Sequence, residues 1–300
     1  MYSSFDDIEK AVLSCGRKIT IAVAGSHDSH VLSAVIRACE KGLAGAILIG
    51  CKDETEKILE RAGCSLDFGF IDMSGDDAIA AQACDMVVNG EADIPMKGLI
   101  STASFMKAIL NKERGFVPSN ALISQATLFE WMGKFMILTD CAINIAPDYG
   151  DKVNIINNAV ALSKKIGIDF PKVAVLAPVE VVNPKIESSV HGAMLAMANK
   201  RGQIKNCIID GPLALDNAIS EDAARRKGIV SEVAGKADIL VVPNLDAGNT
   251  FTKSLTFFAG LKTAGTVNGT RIPVIMCSRT DSTEDKYNTV LAALMQFIGS

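Results

Sequence analysis

Near the end of the chain an apolar run, Pro273-Val274-Ile275-Met276-Cys277, delivers Ser278 and Arg279 and is followed at once by Asp281, Glu284 and Asp285. A hydroxyl beside a guanidinium suits a reaction that creates an oxyanion on a substrate already carrying phosphate, because arginine offers a planar donor fork matched to phosphate oxygens. Asp281 or Asp285 can accept a proton in such a scheme. The plainer alternative is a helix cap with an arginine–carboxylate surface pair, which is common and worth little.

Two other segments share this design of strand end, turn and helix start. In Pro95-Met96-Lys97-Gly98-Leu99-Ile100-Ser101-Thr102, continuing to Lys107, Ser101 or Thr102 can cap a helix whose amino end offers N–H donors and a favourable dipole, while Lys97 and Lys107 add positive charge. That combination can hold an anion; a capped helix with solvated lysines explains the same residues. In Val242-Pro243-Asn244 and the following Asp246-Ala247-Gly248-Asn249, running on to Lys253, the polar set Asn244, Asn249 and Lys253 gathers at another strand end and fits a cleft role. Asp216 and Asn217, after Asp210-Gly211-Pro212, are weaker candidates, since a Gly-Pro turn accounts for most of that composition. His27 and His30 have an HxxH spacing but no accompanying acidic or cysteine ligands, so no metal site is expected, and Asp28 or Ser29 reads as a helix cap. His191 lies within a predicted helix and reads as an ordinary surface or core residue. There is no GxGxxG after a strand, no GxxxxGK[ST] and no GxSxG, so dinucleotide, P-loop and serine-hydrolase readings lack their signatures.

The elements that would position these residues follow from pattern. Of 300 residues, 49% are hydrophobic and 21% charged, which provides for a substantial core and excludes wholesale disorder. Thirty basic against 34 acidic residues give a net charge of -4, without the broad positive field of a nucleic-acid binder. A few focused cations can still capture a small anion. The eight cysteines form no CxxC pair and mostly sit in apolar surroundings, so free thiols are expected rather than zinc or disulfides. The start of the chain is acidic where a signal peptide would be basic, and no apolar run approaches the roughly 18 residues of a membrane span. A soluble cytoplasmic protein is expected.

Short β-branched or apolar runs alternate with helical spacing, the pattern of parallel strands joined by crossover helices. Strands are predicted at 19–24, 44–49, 68–71, 94–97, 135–139, 173–177, 207–210, 239–242 and 274–277. Helices are predicted near 30–41, 53–63, 75–89, 102–112, 151–167, 185–201, 214–226, 247–263 and 283–298. The class is α/β. Length suggests two domains at roughly 150 residues each. A boundary near residue 123 with a return near 269 makes residues 1–122 plus 270–300 the first α/β domain and 123–269 the second. In open α/β sheets ligands collect beyond the carboxyl ends of the strands, where the candidate residues fall.

Six strings in order over most of the chain carry a resemblance: Met96-Lys97-Gly98-Leu99-Ile100-Ser101-Thr102, Leu138 to Pro147, Glu180 to Lys185, Asp210 to Ser220, Pro243 to Asn249, and Ser278-Arg279. Together they resemble the phosphate acetyl/butyryltransferase family, most closely its butyryltransferase branch, from about residue 19 to the end. The resemblance implies two α/β/α domains with mostly parallel sheets and an interdomain cleft, like isocitrate and isopropylmalate dehydrogenases, and usually a homo-oligomer. It implies reversible transfer of a short acyl group, butyryl favoured, between coenzyme A and inorganic phosphate through a ternary complex. Acyl-CoA and phosphate are then substrates, and no permanently bound cofactor and no metal are needed. Ser278 matches the family serine that steadies the transition state, Arg279 the arginine that binds phosphate, and Asp285, seven positions after the serine, the catalytic aspartate, with Asp281 as the alternative proton acceptor. Lys97, Ser101, Thr102, Lys107, Asn244, Asn249 and Lys253 are the candidate phosphate or CoA contacts; Lys107 stands where the acetyltransferases tend to have arginine. The competing readings are an acetyltransferase of the same family, an isocitrate-dehydrogenase-like oxidoreductase, and a non-catalytic CoA-binding protein.

Overall fold

The computed structural model describes residues 2–299. The described residues divide into two compact units, one built from Phe5–Ala121 with residues 264–299, the other from Leu122–Thr263 with residues 2–4.

The first unit opens with α1 (Phe5–Cys15), β1 (Thr20–Ala24), α2 (Ser29–Glu40), β2 (Gly45–Gly50), α3 (Lys52–Arg61), β3 (Gly69–Asp72), α4 (Asp76–Val88), β4 (Ile94–Lys97) and α5 (Thr102–Ile109). The second follows with β5 (Ser124–Trp131), β6 (Lys134–Thr139), α6 (Tyr149–Lys165), β7 (Lys172–Leu176), α7 (Glu187–Lys200), β8 (Ile208–Leu213), α8 (Leu215–Ile219), α9 (Glu221–Arg226), β9 (Ile239–Val241) and α10 (Leu245–Phe257). Then β10 (Thr263–Asn268) carries the chain back to the first unit, which ends with β11 (Ile275–Met276) and α11 (Thr283–Ile298).

In the first unit the strand order is β11-β4-β1-β2-β3, with every pairing parallel. Such a sheet is covered on both faces, and its central strand is accordingly apolar: Ile21, Ala22, Val23 and Ala24 of β1 are all fully buried. α1, α2 and α11 pack together, and Phe5, Ile8 and Val12 form the buried stripe of α1. In the second unit β5-β6-β9-β7-β8 lie side by side in that order; β5 and β6 are an antiparallel hairpin, and the rest pair in parallel. The hairpin turns at Met132 and Gly133, both with positive φ as a tight two-residue loop of this hand requires. Its core is built from Phe129, Met136, Leu138, Leu176, Leu213, Leu240, Val242 and Leu255.

The α/β class and the alternation stand as expected, and the nine predicted strands all occur within a few residues of their predicted limits. β5 and β10 were not foreseen. Their early residues, Ser124-Gln125-Ala126 and Ala264-Gly265, are small or polar and mask the β-forming residues beside them, Thr127 to Phe129 and Thr266-Val267; burial in the sheet makes the whole segments strands. α1 was also missed. The helix expected over 247–263 stops at Phe257, and that over 214–226 is broken at Ser220, whose hydroxyl caps α9 by accepting from Ala223 N.

Candidate active site at the carboxyl edge of the first sheet

β11 lies against β4, with Ile275 opposite Met96 and Met276 opposite Lys97, and β4 lies against β1, with Lys97 opposite Ala24. Three adjacent strands therefore release their loops at one edge: Gly25 to Asp28, Gly98 to Ser101, and Cys277 to Asp281. The first two are stitched together by Gly98 N donating to Ala24 O at 2.7 Å and Leu99 N to Gly25 O at 2.8 Å. A Cβ on Gly98 would lie 2.1 Å from Gly25 O, so only glycine permits this approach.

Lys97 ends β4 and is 5% exposed. Its Nζ donates to Gly98 O at 3.2 Å, and among the described residues it has no ion pair. Burial lowers its pKa, and the Arg279 charge lowers it further, while Asp28 and Asp76 act in the opposite sense from a distance. Arg279 is exposed and makes no hydrogen bond or ion pair among the described residues. Two mutually repelling cations without a carboxylate partner are an arrangement that an anion would relieve.

Ser101 caps α5: its Oγ accepts from Ser104 N at 3.0 Å, and its own N–H donates to Asp76 at 2.7 Å. Thr102 is the first residue of that helix and exposed. Lys107, in its last turn, pairs with Asp77 at 2.7 Å, both groups exposed. Hydrogen bonds from Lys107 and Ser104 hold the Asp77 carboxyl below the usual range. Lys107 thus already has a partner, at the opposite end of α5 from the Ser101 cap.

Ser278 is exposed, with Oγ 3.2 Å from Thr280 Oγ1; its N–H donates to Asp281 at 2.7 Å. Asp281 thereby braces the turn. Asp285 lies in the first turn of α11, where Ser282 Oγ accepts from Asp285 N at 3.0 Å and donates to its carboxylate at 2.6 Å. Beneath the loop, buried Lys286 donates to Ser278 O at 3.0 Å and Asp281 O at 2.6 Å. Cys277 is buried, and burial pushes its thiol up to about 12, which suits packing rather than nucleophilic attack.

The structure therefore brings Lys97, Ser101, Ser278 and Arg279 to one edge, with Asp281 and Asp285 adjoining. Asp76 and Lys286 join this edge without having been expected from the sequence. Asp76 left no separable signal, because an acid at a helix start is ordinary; Lys286 left only a lysine at a helical position that proves to be core.

The other candidates belong to the second unit. Asn244 caps α10, its Oδ1 accepting from Ala247 N at 3.0 Å, and Asn249 Nδ2 donates to Cys141 O at 3.4 Å. Lys253 Nζ stands 6.0 Å from the Phe257 ring centre. Gly248 packs so closely that a Cβ would meet Asp140 O at 2.4 Å. Asp140 is buried and accepts from Ala142, Ile143 and Asn144 N–H groups, so the Leu138–Pro147 string shapes a loop through its own carboxylate. Asp216 pairs with Lys227 at 3.4 Å, and Asn217 is fully buried. His27 and His30 belong to the β1–α2 loop and the start of α2; Asp28 is that helix's cap.

The model of a family described as "Phosphate acetyl/butaryl transferase" matches residues 72–294. The chain is 44% identical over 299 residues to a phosphate butyryltransferase of Clostridium beijerinckii, covering 98% of each sequence. It is 38% identical over 287 residues to a phosphate acetyltransferase of Thermotoga maritima, covering 94% of this chain and 97% of that one. Among solved structures, a branched-chain phosphotransacylase from Enterococcus faecalis matches with a TM-score of 0.81 at 33% identity, over 93% of this chain and 99% of that one.

Proposed function

The chain belongs to the phosphate acetyl/butyryltransferase family, and from that premise we propose that it moves a short acyl group, butyryl favoured, reversibly between coenzyme A and inorganic phosphate, with both substrates bound at once. The observation that carries the reading to particular residues is the pair of cations without carboxylate partners, Lys97 and Arg279, beside the Ser278 hydroxyl at one sheet edge.

A phosphate oxygen attacks the thioester carbonyl; the carbonyl π pair moves to oxygen, and its return expels the CoA thiolate, leaving acyl phosphate. Arg279 and Lys97 hold phosphate oxygens and place the nucleophile, and Ser278 Oγ donates to the developing oxyanion. In the reverse direction Asp285 accepts the proton of the CoA thiol, which becomes the nucleophile toward acyl phosphate. Asp281 is the rival for that role; its contact with the Ser278 N–H supports a bracing part instead. The amino end of α5 at Ser101 and Thr102, Lys107, and the α10 residues Asn244, Asn249 and Lys253 are proposed as further phosphate or CoA contacts. No acyl-enzyme and no bound cofactor enter this scheme. The protein is proposed to work as a cytoplasmic homo-oligomer; no described helix is long and apolar enough to cross a membrane.

The test is thiol release from acetyl-, butyryl- and longer acyl-CoA with and without phosphate. Release is expected to require phosphate and to be fastest with short chains, butyryl foremost. A maximum at acetyl would favour the acetyltransferase reading, and release that ignores phosphate would overturn acyl transfer to phosphate.

A further inference from the structure

The second unit holds a buried charge for which the scheme above has no use. Lys152, in the first turn of α6, is 2% exposed, and among the described residues its one side-chain hydrogen-bond partner is Nδ1 of His191 on α7, at 2.9 Å. An ammonium has three donors, so two N–H groups there lack an acceptor. Burial, and after it the Lys152 charge, lowers the His191 pKa, which leaves the ring neutral near pH 7 with Nδ1 as acceptor. Burial likewise lowers the pKa of Lys152; Glu187, Asp148 and Asp151 oppose this from a distance, and none of them forms an ion pair with it.

Lys152 lines a cavity of about 290 Å³ at the carboxyl end of the second sheet. Its walls come from the first turns of two helices and the cap of a third: Lys152 of α6, Ser188 of α7, and Asn244 before α10, with the loop prolines Pro147 and Pro243 between. Each helix presents its positive end there. A buried cation with a neutral imidazole as its sole partner is costly in isolation, and a bound anion would supply both the missing charge and the missing acceptors. Glu187 also lines the cavity, so the sign of the local field depends on Lys152.

We propose that this cavity binds a phosphoryl group, with Lys152 as the charged donor and His191 as the residue that orients it. Its sources, a phosphate of coenzyme A or free inorganic phosphate, rest on the acyl-transfer reading above.

The chain has three histidines, so the imidazole signal of His191 is assignable by NMR against a His191→Gln variant. Its titration midpoint is measured in the full-length protein with inorganic phosphate, CoA or 3′-dephospho-CoA, at matched ionic strength. A nearby anion favours the protonated ring, so a bound phosphoryl group should raise the midpoint by about half a unit or more. The rise should persist in Lys152→Arg and vanish in Lys152→Met. A rise with CoA but not with 3′-dephospho-CoA identifies the 3′-phosphate as the occupant, and a rise with inorganic phosphate alone identifies the free ion. No rise with any probe, or an equal rise in Lys152→Met, overturns the site. Phosphate-dependent thiol release is measured separately: turnover without a midpoint shift removes this site and spares the proposed function, whereas a shift without turnover does the reverse.

Discussion

Lys286→Met removes the ammonium that ties the Ser278–Asp281 turn to α11. The side chain is 3% exposed, and its two carbonyl contacts are 3.0 and 2.6 Å long. Hydrogen bonds to a charged group contribute about 1.5–3 kcal/mol each, so the gross loss is about 3–6 kcal/mol. Two effects reduce it. Ser278 is exposed and Asp281 half-buried, so water can replace the lost donor, and methionine escapes the desolvation penalty of a buried ammonium. The net destabilisation should be about 1–2 kcal/mol, which lowers Tm by roughly 2–4 °C per kcal/mol in a unit the size of the one that holds Lys286. Rate should suffer more, because the same turn carries Ser278 and Arg279 and a displacement of about 1 Å can lower turnover ~10²-fold. Steady-state kinetics should show kcat reduced about ten- to hundredfold, with a smaller change in KM for acyl-CoA. Lys286→Arg, which retains donors for both carbonyls, should recover part of it. A methionine variant with lowered Tm but wild-type kcat would show that Lys286 only stabilises the fold and would refute the positioning argument.

Arg279→Ala should lower the phosphate-dependent rate at least about tenfold with little change in Tm, since the guanidinium is exposed and makes no ion pair among the described residues; equal rates would remove it from the site. Gly98→Ala places a methyl 2.1 Å from Gly25 O, between two backbones, and should destabilise by about 3 kcal/mol or more, read by urea unfolding. Tyr287 is buried and donates to Glu9 at 2.6 Å, so Tyr287→Phe should destabilise by about 1–2 kcal/mol at neutral pH. Burial alone would raise the Glu9 pKa, but hydrogen bonds from Lys41 and Tyr287 bring it below the ordinary value of 4.5. A depressed carboxylate stabilises the fold above its unfolded pKa and loses that contribution as pH falls through the folded one. The gap between wild type and Tyr287→Phe should therefore narrow below about pH 4.5, and a gap independent of pH would contradict the assignment.

Much of the first unit was legible because β1, β2 and β4 are dense in apolar residues and the helices that follow β1 and β4 carry side-chain caps. Of the cap candidates Asp28 or Ser29 and Ser101 or Thr102, the structure uses Asp28 and Ser101, and the candidates were legible because capping chemistry is local to a few residues. β5 escaped notice although Thr127 to Trp131 has strand composition, because its opening residues Ser124-Gln125-Ala126 are polar or small and its partner across the hairpin, β6, is what fixes Ala126 to Trp131 as a strand. His191 read as an unremarkable helical residue because its significance depends on Lys152, 39 positions away. Lys107 looked like a free cation until Asp77, 30 positions earlier, proved to be its partner.

By itself, then, the amino-acid order determined the α/β class, the starts of most crossover helices and the chemical types collected at strand ends, all of which depend on hydrophobic period and short-range hydrogen bonding. Only tertiary structure decided which of those groups become neighbours. Placing β11 beside β4 sets the charge of Arg279 against Lys97, and burying Lys97, Lys152 and Lys286 gives three otherwise ordinary lysines distinct electrostatic surroundings. Burial and through-space charge are properties of distance in the fold, and distance along the chain does not encode them.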